Sequence, residues 1–236
     1  MKIDRSHTHM RLAGLCLAIL LVVPVIVQAA DRWYQVEVIV FQNLEPDTNE
    51  DWPLTPGYPD IDSTIELNKA PDMSADVLDA GEQAMLQEAT DNGGSASALL
   101  AFAALKPDQL TLEPLYRRLK RSAGYRPLLY KAWRQPALGR KDAKAVHLMA
   151  RDAPESDALR RPRIDGWLRL RSSHFLHVDT DLVLYIGDLP HAGNAEMVRL
   201  TETRRVKLNE VHYLDHPLFG VLVKVSPVAI EQPAEP

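Results

Sequence analysis

Two carboxylates two residues apart, Asp179 and Asp181, are the first residues in this 236-residue chain whose types and spacing could do chemistry. On a strand they share a face, and paired carboxylates serve general acid/base work or glycoside hydrolysis. Arg169 and Arg171 sit opposite them across a predicted hairpin, so cross-strand charge pairing accounts for them more simply. His212-Tyr213-Leu214-Asp215-His216 has the residue types of a metal site. Histidines at i and i+4 meet only on a helix, which Pro217 opposes, and no third ligand stands out by spacing. A strand-end turn in which Asp215 caps backbone donors is the expectation. Ser172, Ser173 and His174 form no nucleophile motif. No G-x-S-x-G, G-x-G-x-x-G or P-loop occurs, and the single cysteine, Cys16, lies in the N-terminal apolar run. The sequence thus favours a protein without catalytic residues, bound metal or cofactor.

Trp133-Arg134-Gln135-Pro136 carries a binding vocabulary instead. Aromatic faces stack on sugars or bases, and guanidinium groups grip carboxylates bidentately. Trp167 with Arg169 and Arg171 repeats the combination. Each tryptophan has a second reading as a buried strand residue. Arg160-Arg161-Pro162-Arg163 reads as a solvated loop.

These residues must be held by a small set of elements. Trp33 to Phe41 reads as a central strand, with Val36, Val38 and Val40 on one face and Glu37 as the charge on the other. Residues 42–110 hold fourteen acidic residues against Lys69 and Lys106, a local charge of −12, and five prolines punctuate the first half. This segment reads as mostly irregular, with short helices near Ala80 to Ala89 and Ala96 to Ala104. Thr111 to Ala123 is a predicted helix, with Leu112, Leu115, Tyr116 and Leu119 at helical spacing, Thr111 as cap and Gly124 as stop. Tyr125 to Arg134 returns as a strand. From Thr111 to Lys144, ten basic and two acidic residues give a local charge of +8. Gly139 to Arg161 reads as a loop. Ile164 to Arg171 and His174 to Ile186 alternate with period two around Ser172-Ser173. Leu168, Leu170, Leu176, Val178, Leu182 and Leu184 are the predicted buried face, and Trp167, Arg169, Arg171, His177, Asp179 and Asp181 the other. Met197 to Val211 and Phe219 to Val225 read as a further strand pair. The expected fold is α+β: an antiparallel or mixed sheet of about six strands, one principal helix and a long acidic, Pro-rich insertion.

Hydrophobic content of 46% and charged content of 25% are ordinary globular values, and a net charge of −5 lacks the basic footprint of a nucleic-acid binder. Lys2, Arg5 and Arg11 precede an apolar run from Leu12 to Val27, and Val27-Gln28-Ala29 supplies small residues at −3 and −1. This predicts a signal peptide over residues 1–29, cleaved after Ala29. Removing its three basic and one acidic residues leaves a charge of −7 and no cysteine. No later segment is apolar enough to span a membrane as a helix. The expectation is one exported domain over residues 30–228, interrupted by the acidic insertion, with a tail over 229–236.

Five blocks together resemble a known family. They are Arg32-Trp-Tyr-Gln-Val-Glu-Val-Ile-Val-Phe41 followed by Trp52-Pro53; Gly124-Tyr-Arg-Pro-Leu-Leu-Tyr-Lys-Ala-Trp-Arg-Gln-Pro136; Gly166-Trp-Leu-Arg-Leu; His177-Val-Asp-Thr-Asp-Leu182; and Arg204 through Gly220. Their order is similar to that of the CsiV family of periplasmic peptidoglycan-binding proteins of gammaproteobacteria. The resemblance implies a non-enzymatic protein that binds peptidoglycan and supports a class A penicillin-binding protein through its outer-membrane lipoprotein activator. It supplies no site residues. The residues themselves nominate Trp133, Arg134, Gln135, Trp167, Arg169 and Arg171. The alternative is an envelope protein–protein adaptor without glycan affinity, using the acidic insertion and sheet edges as its interface.

Overall fold

The computed structural model describes residues 32–46, 52–54, 56–68, 101–151, 163–186 and 196–229. These form nine strands and one α-helix. The strands are β1 (Trp33–Asn43), β2 (Thr64–Ile65), β3 (Tyr125–Pro136), β4 (Ala145–His147), β5 (Ile164–Ser172), β6 (Leu176–Tyr185), β7 (Met197–Val206), β8 (Val211–His216) and β9 (Phe219–Val228). The helix α1 spans Glu113–Arg121. A four-stranded sheet has the order β3-β1-β9-β8 and a five-stranded sheet the order β2-β4-β5-β6-β7. All pairings are antiparallel except β2 with β4.

The α+β class therefore holds, with two sheets where the sequence suggested one. Val36, Val38 and Val40 of β1, Val221, Val223 and Val225 of β9, and Leu168, Leu170, Val178 and Leu182 of β5 and β6 share one buried cluster. Each sheet thus closes the apolar face of the other, at about 1.5–3 kcal/mol per fully buried aliphatic side chain. β7 pairs with β6 and β9 pairs with β1 and β8, so of the predicted partners Met197 to Val211 and Phe219 to Val225 only the end of the first, Asn209 and Val211, meets β9. β4 falls inside the segment read as a loop, because three residues are too few to show a period. Ala103 and Ala104, expected in a helix, form isolated bridges to Asn68 and Trp133. The other expected helix and the signal-peptide segment lie outside the described residues, as does most of the acidic insertion.

β1 is buried on both faces. Its outer face carries Ile39 and Phe41, which pack with Leu112 and Leu119 of the helical segment. Glu37 stands next to Ile39 on the same face and is 1% exposed. Its carboxylate accepts the backbone N–H groups of Thr111 (2.8 Å) and Leu112 (3.0 Å) and the hydroxyls of Thr111 (2.6 Å) and Tyr130 (2.7 Å). Gln35 Nε2 donates a further bond at 3.0 Å. Burial alone would raise the Glu37 pKa, but bonds from Thr111, Tyr130, Leu112 and Gln35 prevail and lower it from the ordinary 4.5. The helix cap is therefore a carboxylate borrowed from β1, where the sequence suggested the Thr111 side chain. Leu112 occupies the cap position and makes no side-chain cap bond.

Segments of the acidic insertion cover two sheet edges. Leu105 N–H donates to Ala132 O (2.9 Å) and Phe102 N–H to Arg134 O (2.7 Å), along the outer edge of β3. Met197 N–H of β7 donates to Leu54 O (3.0 Å). Both contacts satisfy backbone groups that an open edge would leave exposed.

Candidate functional site

Period-two geometry sends neighbouring strand residues to opposite faces, and this divides the first candidate group. Trp133 and Gln135 point between the sheets and are each 0% exposed, so neither offers a face to a sugar. Trp133 Nε1 donates to Gln135 Oε1 at 2.8 Å. Gln135 Nε2 donates to the Leu170 carbonyl of β5 at 3.4 Å, tying the two sheets together. Arg134 faces the other way, with its Nε buried and without an acceptor among the described residues. The three residues belong to a core cross-tie and an outer layer rather than to one surface.

The second group does converge. Asp165, Trp167, Arg169 and Arg171 of β5 alternate with Ile164, Gly166, Leu168 and Leu170, which are buried. On the adjoining strands, Asp179 lies in register with Arg169 and Thr203, and Asp181 with Trp167 and Thr201. The outer face of the five-stranded sheet thus gathers aromatic, cationic and anionic side chains. Gly166 makes this possible at one point: its φ is +140°, and a Cβ there would strike the backbone of Asp181 and Leu182.

Both carboxylates are fully engaged. Asp179 accepts Arg169 Nε (3.2 Å) and Nη2 (3.0 Å), Arg171 Nε (2.9 Å) and Thr203 Oγ1 (2.9 Å). Burial opposes its ionisation, yet the bonds from Arg171, Thr203 and Arg169 hold its pKa below the ordinary 3.8. Asp181 accepts a fork from Arg199 Nε and Nη2, both at 2.6 Å, and Thr201 Oγ1 at 3.2 Å. The Asp181 bond in turn raises the Arg199 pKa against burial. Carboxylates saturated in this way are poorly placed to trade protons with a substrate. The expected cross-strand pairing with Arg169 and Arg171 is present for Asp179, which takes both, whereas Asp181 pairs with Arg199 of β7.

At the open end of this face Arg169 lies 5.4 Å from the centroid of the partly exposed Trp167 ring. Phe175, in the β5–β6 turn, is 49% exposed, and the Arg205 guanidinium sits 3.3 Å from its ring centroid. Arg169 and Arg171 share one carboxylate, and Arg205 has no carboxylate partner among the described residues, so positive charge is in excess here. The opposite end is closed: Val183, Tyr185 and Met197 form a buried cluster. Phe175, Arg199 and Arg205 were not nominated by the sequence. Alternation along β7 places Arg199 and Arg205 on a common face, but which face depends on the register with β6, and Phe175 falls within the predicted strand His174 to Ile186, whereas the structure leaves it in the turn before β6.

Beside Trp167, His147 of β4 is held by Asp165 through Nε2 (2.7 Å) and by Glu66 through Nδ1. Its pKa is raised above 6.5, chiefly by the Asp165 bond, with burial opposing.

The His212–His216 group makes no metal site. On an extended strand these histidines stand about 13 Å apart along the chain at 3.3 Å per residue. His212 Nε2 accepts Lys207 N–H at 2.9 Å, and His216 Nδ1 accepts Leu218 N–H at 3.2 Å. His216, not Asp215, therefore caps the turn, while Asp215 accepts the Tyr213 hydroxyl. That bond, after burial, raises the Tyr213 pKa. No cluster of three His, Cys, Asp or Glu residues suited to a metal occurs among the described residues.

A family model, described as peptidoglycan-binding protein CsiV, matches residues 12–228, nearly the whole chain. No curated protein and no solved structure matches it. No helix among the described residues is long and apolar enough to cross a membrane. The chain belongs to the CsiV family, whose description is that of a peptidoglycan-binding protein.

Proposed function

We propose that this member of the CsiV family holds peptidoglycan on the open end of the outer face of its five-stranded sheet, and does so without catalysis. The observation that carries the ligand is the family match over residues 12–228. The observation that favours the place is the grouping of Trp167, Arg169, Arg171, Phe175 and Arg205 on one accessible face. Peptidoglycan combines sugar rings with free acids on its stem peptides. Aromatic faces stack against the former, and guanidinium groups fork the latter. Arg134 stands on a different sheet and would make a separate contact if it takes part. The buried Trp133 and Gln135 would act only by supporting the fold.

The same reading places the protein in the periplasm, exported by the segment 1–29 with cleavage after Ala29, as one domain over residues 30–228 with a tail over 229–236. Its role there is accessory: it assists a class A penicillin-binding protein through the outer-membrane lipoprotein activator of that enzyme. Trp167→Ala combined with Arg205→Ala tests the face. The variant is expected to keep the wild-type urea midpoint and to retain less than a third of wild-type sedimentation with isolated sacculi. Undiminished sedimentation by the folded variant would move the site elsewhere. Mixing the protein with purified lipoprotein activator tests the accessory role, and failure to form a complex would count against it.

A further inference from the structure

Lys131 carries a charge in a row of inward-facing side chains that are otherwise neutral. It stands on β3 in register with Val38, between the buried Leu129 and Trp133. Its ammonium makes one long bond, 3.4 Å to the carbonyl of His147 on the opposite sheet. An ammonium has three donors, so two are left without a protein acceptor among the described residues. No ion pair ties it to a carboxylate there. Burial pushes its pKa down, and the nearby Glu66 charge opposes that.

A cleft of about 240 Å³ opens beside this lysine, lined by Lys131, Glu66, Leu67, Ala104, Leu105 and Leu110. At roughly 30 Å³ per water it equals about eight waters, room for a small amino-acid unit rather than a glycan strand. Its walls are mostly aliphatic, with Tyr130 as the one aromatic ring, and Lys131 supplies a cation with donors to spare. Glu66 stands at the same cleft with one carboxylate oxygen on His147. His147 also joins the cleft to the outer face, since its carbonyl accepts from Lys131 and its backbone lies in register with Trp167.

We propose that this cleft binds a chain-terminal carboxylate carried on a residue with a short aliphatic side chain, and that Lys131 holds the carboxylate. The inference rests on the peptidoglycan reading and deepens it: the sheet face would take the sugar, and the cleft the alanine-type end of a stem peptide. A desolvated cation paired with an incoming carboxylate recovers the interaction that the fold itself leaves unmade.

The probe is D-alanyl-D-alanine, compared with its C-terminal amide, titrated into the exported protein by calorimetry. The acid is expected to bind, and both the amide and the Lys131→Met variant are expected to weaken binding at least tenfold. Met keeps the unbranched stem without the charge, so Lys131→Met should also match or exceed the wild-type urea midpoint. Equal binding of acid and amide, or undiminished binding by folded Lys131→Met, would overturn the proposal. Should that variant fail to fold, wild-type amide shifts decide: the acid is expected to move Leu105 and Ala132, and unmoved signals would overturn the site. A protein that sediments with sacculi but ignores the dipeptide would lose the cleft and keep the sheet-face reading. A protein that does neither would lose both.

Discussion

Trp133 and Trp167 share a composition of neighbours and differ in everything physical. Each stands one or two residues from arginine, yet Trp133 is 0% exposed and hydrogen-bonded within the core, whereas Trp167 lies beneath a guanidinium on an outer face. Their substitutions should separate accordingly. Trp133→Ala empties a large core volume and is expected to cost about 3–5 kcal/mol, read from urea unfolding. A loss below 1 kcal/mol would contradict its place in the core. Trp167→Ala should change stability by less than about 1 kcal/mol, while lowering sacculus sedimentation severalfold. Sequence alone left both tryptophans open, because a strand's alternation names two faces without saying which is covered. The alternation of Trp167, Arg169 and Arg171 with Leu168 and Leu170 was legible because the apolar set is unbroken. For Trp133 the inward set contains Lys131 and Gln135, which blur the pattern.

At the scale of elements, the helix and β1 are one unit joined through Glu37. Glu37→Gln removes the charge from a site that accepts five hydrogen bonds and is expected to cost about 1–3 kcal/mol. Loss of the helix signal by circular dichroism should accompany or precede global unfolding. A variant with wild-type midpoint would show that packing of Leu112 and Leu119 holds the helix without the carboxylate. Gly166 is the second joint. Its φ of +140° and its approach to the Asp181 and Leu182 backbone leave no room for a Cβ. Gly166→Ala is expected to cost at least about 1–3 kcal/mol from backbone strain alone, with the β5–β6 amide exchange quickening first. Stability unchanged by this substitution would contradict the close approach. The helix and the β5–β6 hairpin were readable because their periods extend over many residues. β4 and the Glu37 cap were not: the first is three residues long, and the second joins residues 74 and 75 positions apart.

For the whole molecule, titration of three groups sets opposing limits. His147 has a raised pKa in the folded state, so its contribution is complete below about 6.5 and fades as pH rises through the folded value. Glu37 has a lowered pKa, so its contribution is present above about 4.5 and fades as pH falls through the folded value. Asp179 behaves in the same sense, from an ordinary value of 3.8. The urea midpoint should therefore be highest between roughly pH 4.5 and 6.5 for these groups. His147→Gln should flatten the alkaline limb, and a limb unchanged in that variant would remove His147 from the account. The division into two sheets was not legible in sequence, because buried strands of either sheet show the same Val- and Leu-rich runs. Net charge offers the last clue at this scale. An acidic protein that binds an acidic polymer through a local cationic face, as proposed, is expected to bind less at high salt.

Co-sedimentation of residues 30–236 with isolated sacculi at low and high salt, with Trp167→Ala/Arg205→Ala run alongside, decides whether the outer sheet face holds peptidoglycan. Sedimentation is expected to fall at high salt and to fall further in the variant. Absence of sedimentation at either salt, with the protein folded, would contradict peptidoglycan binding and turn attention to a protein partner.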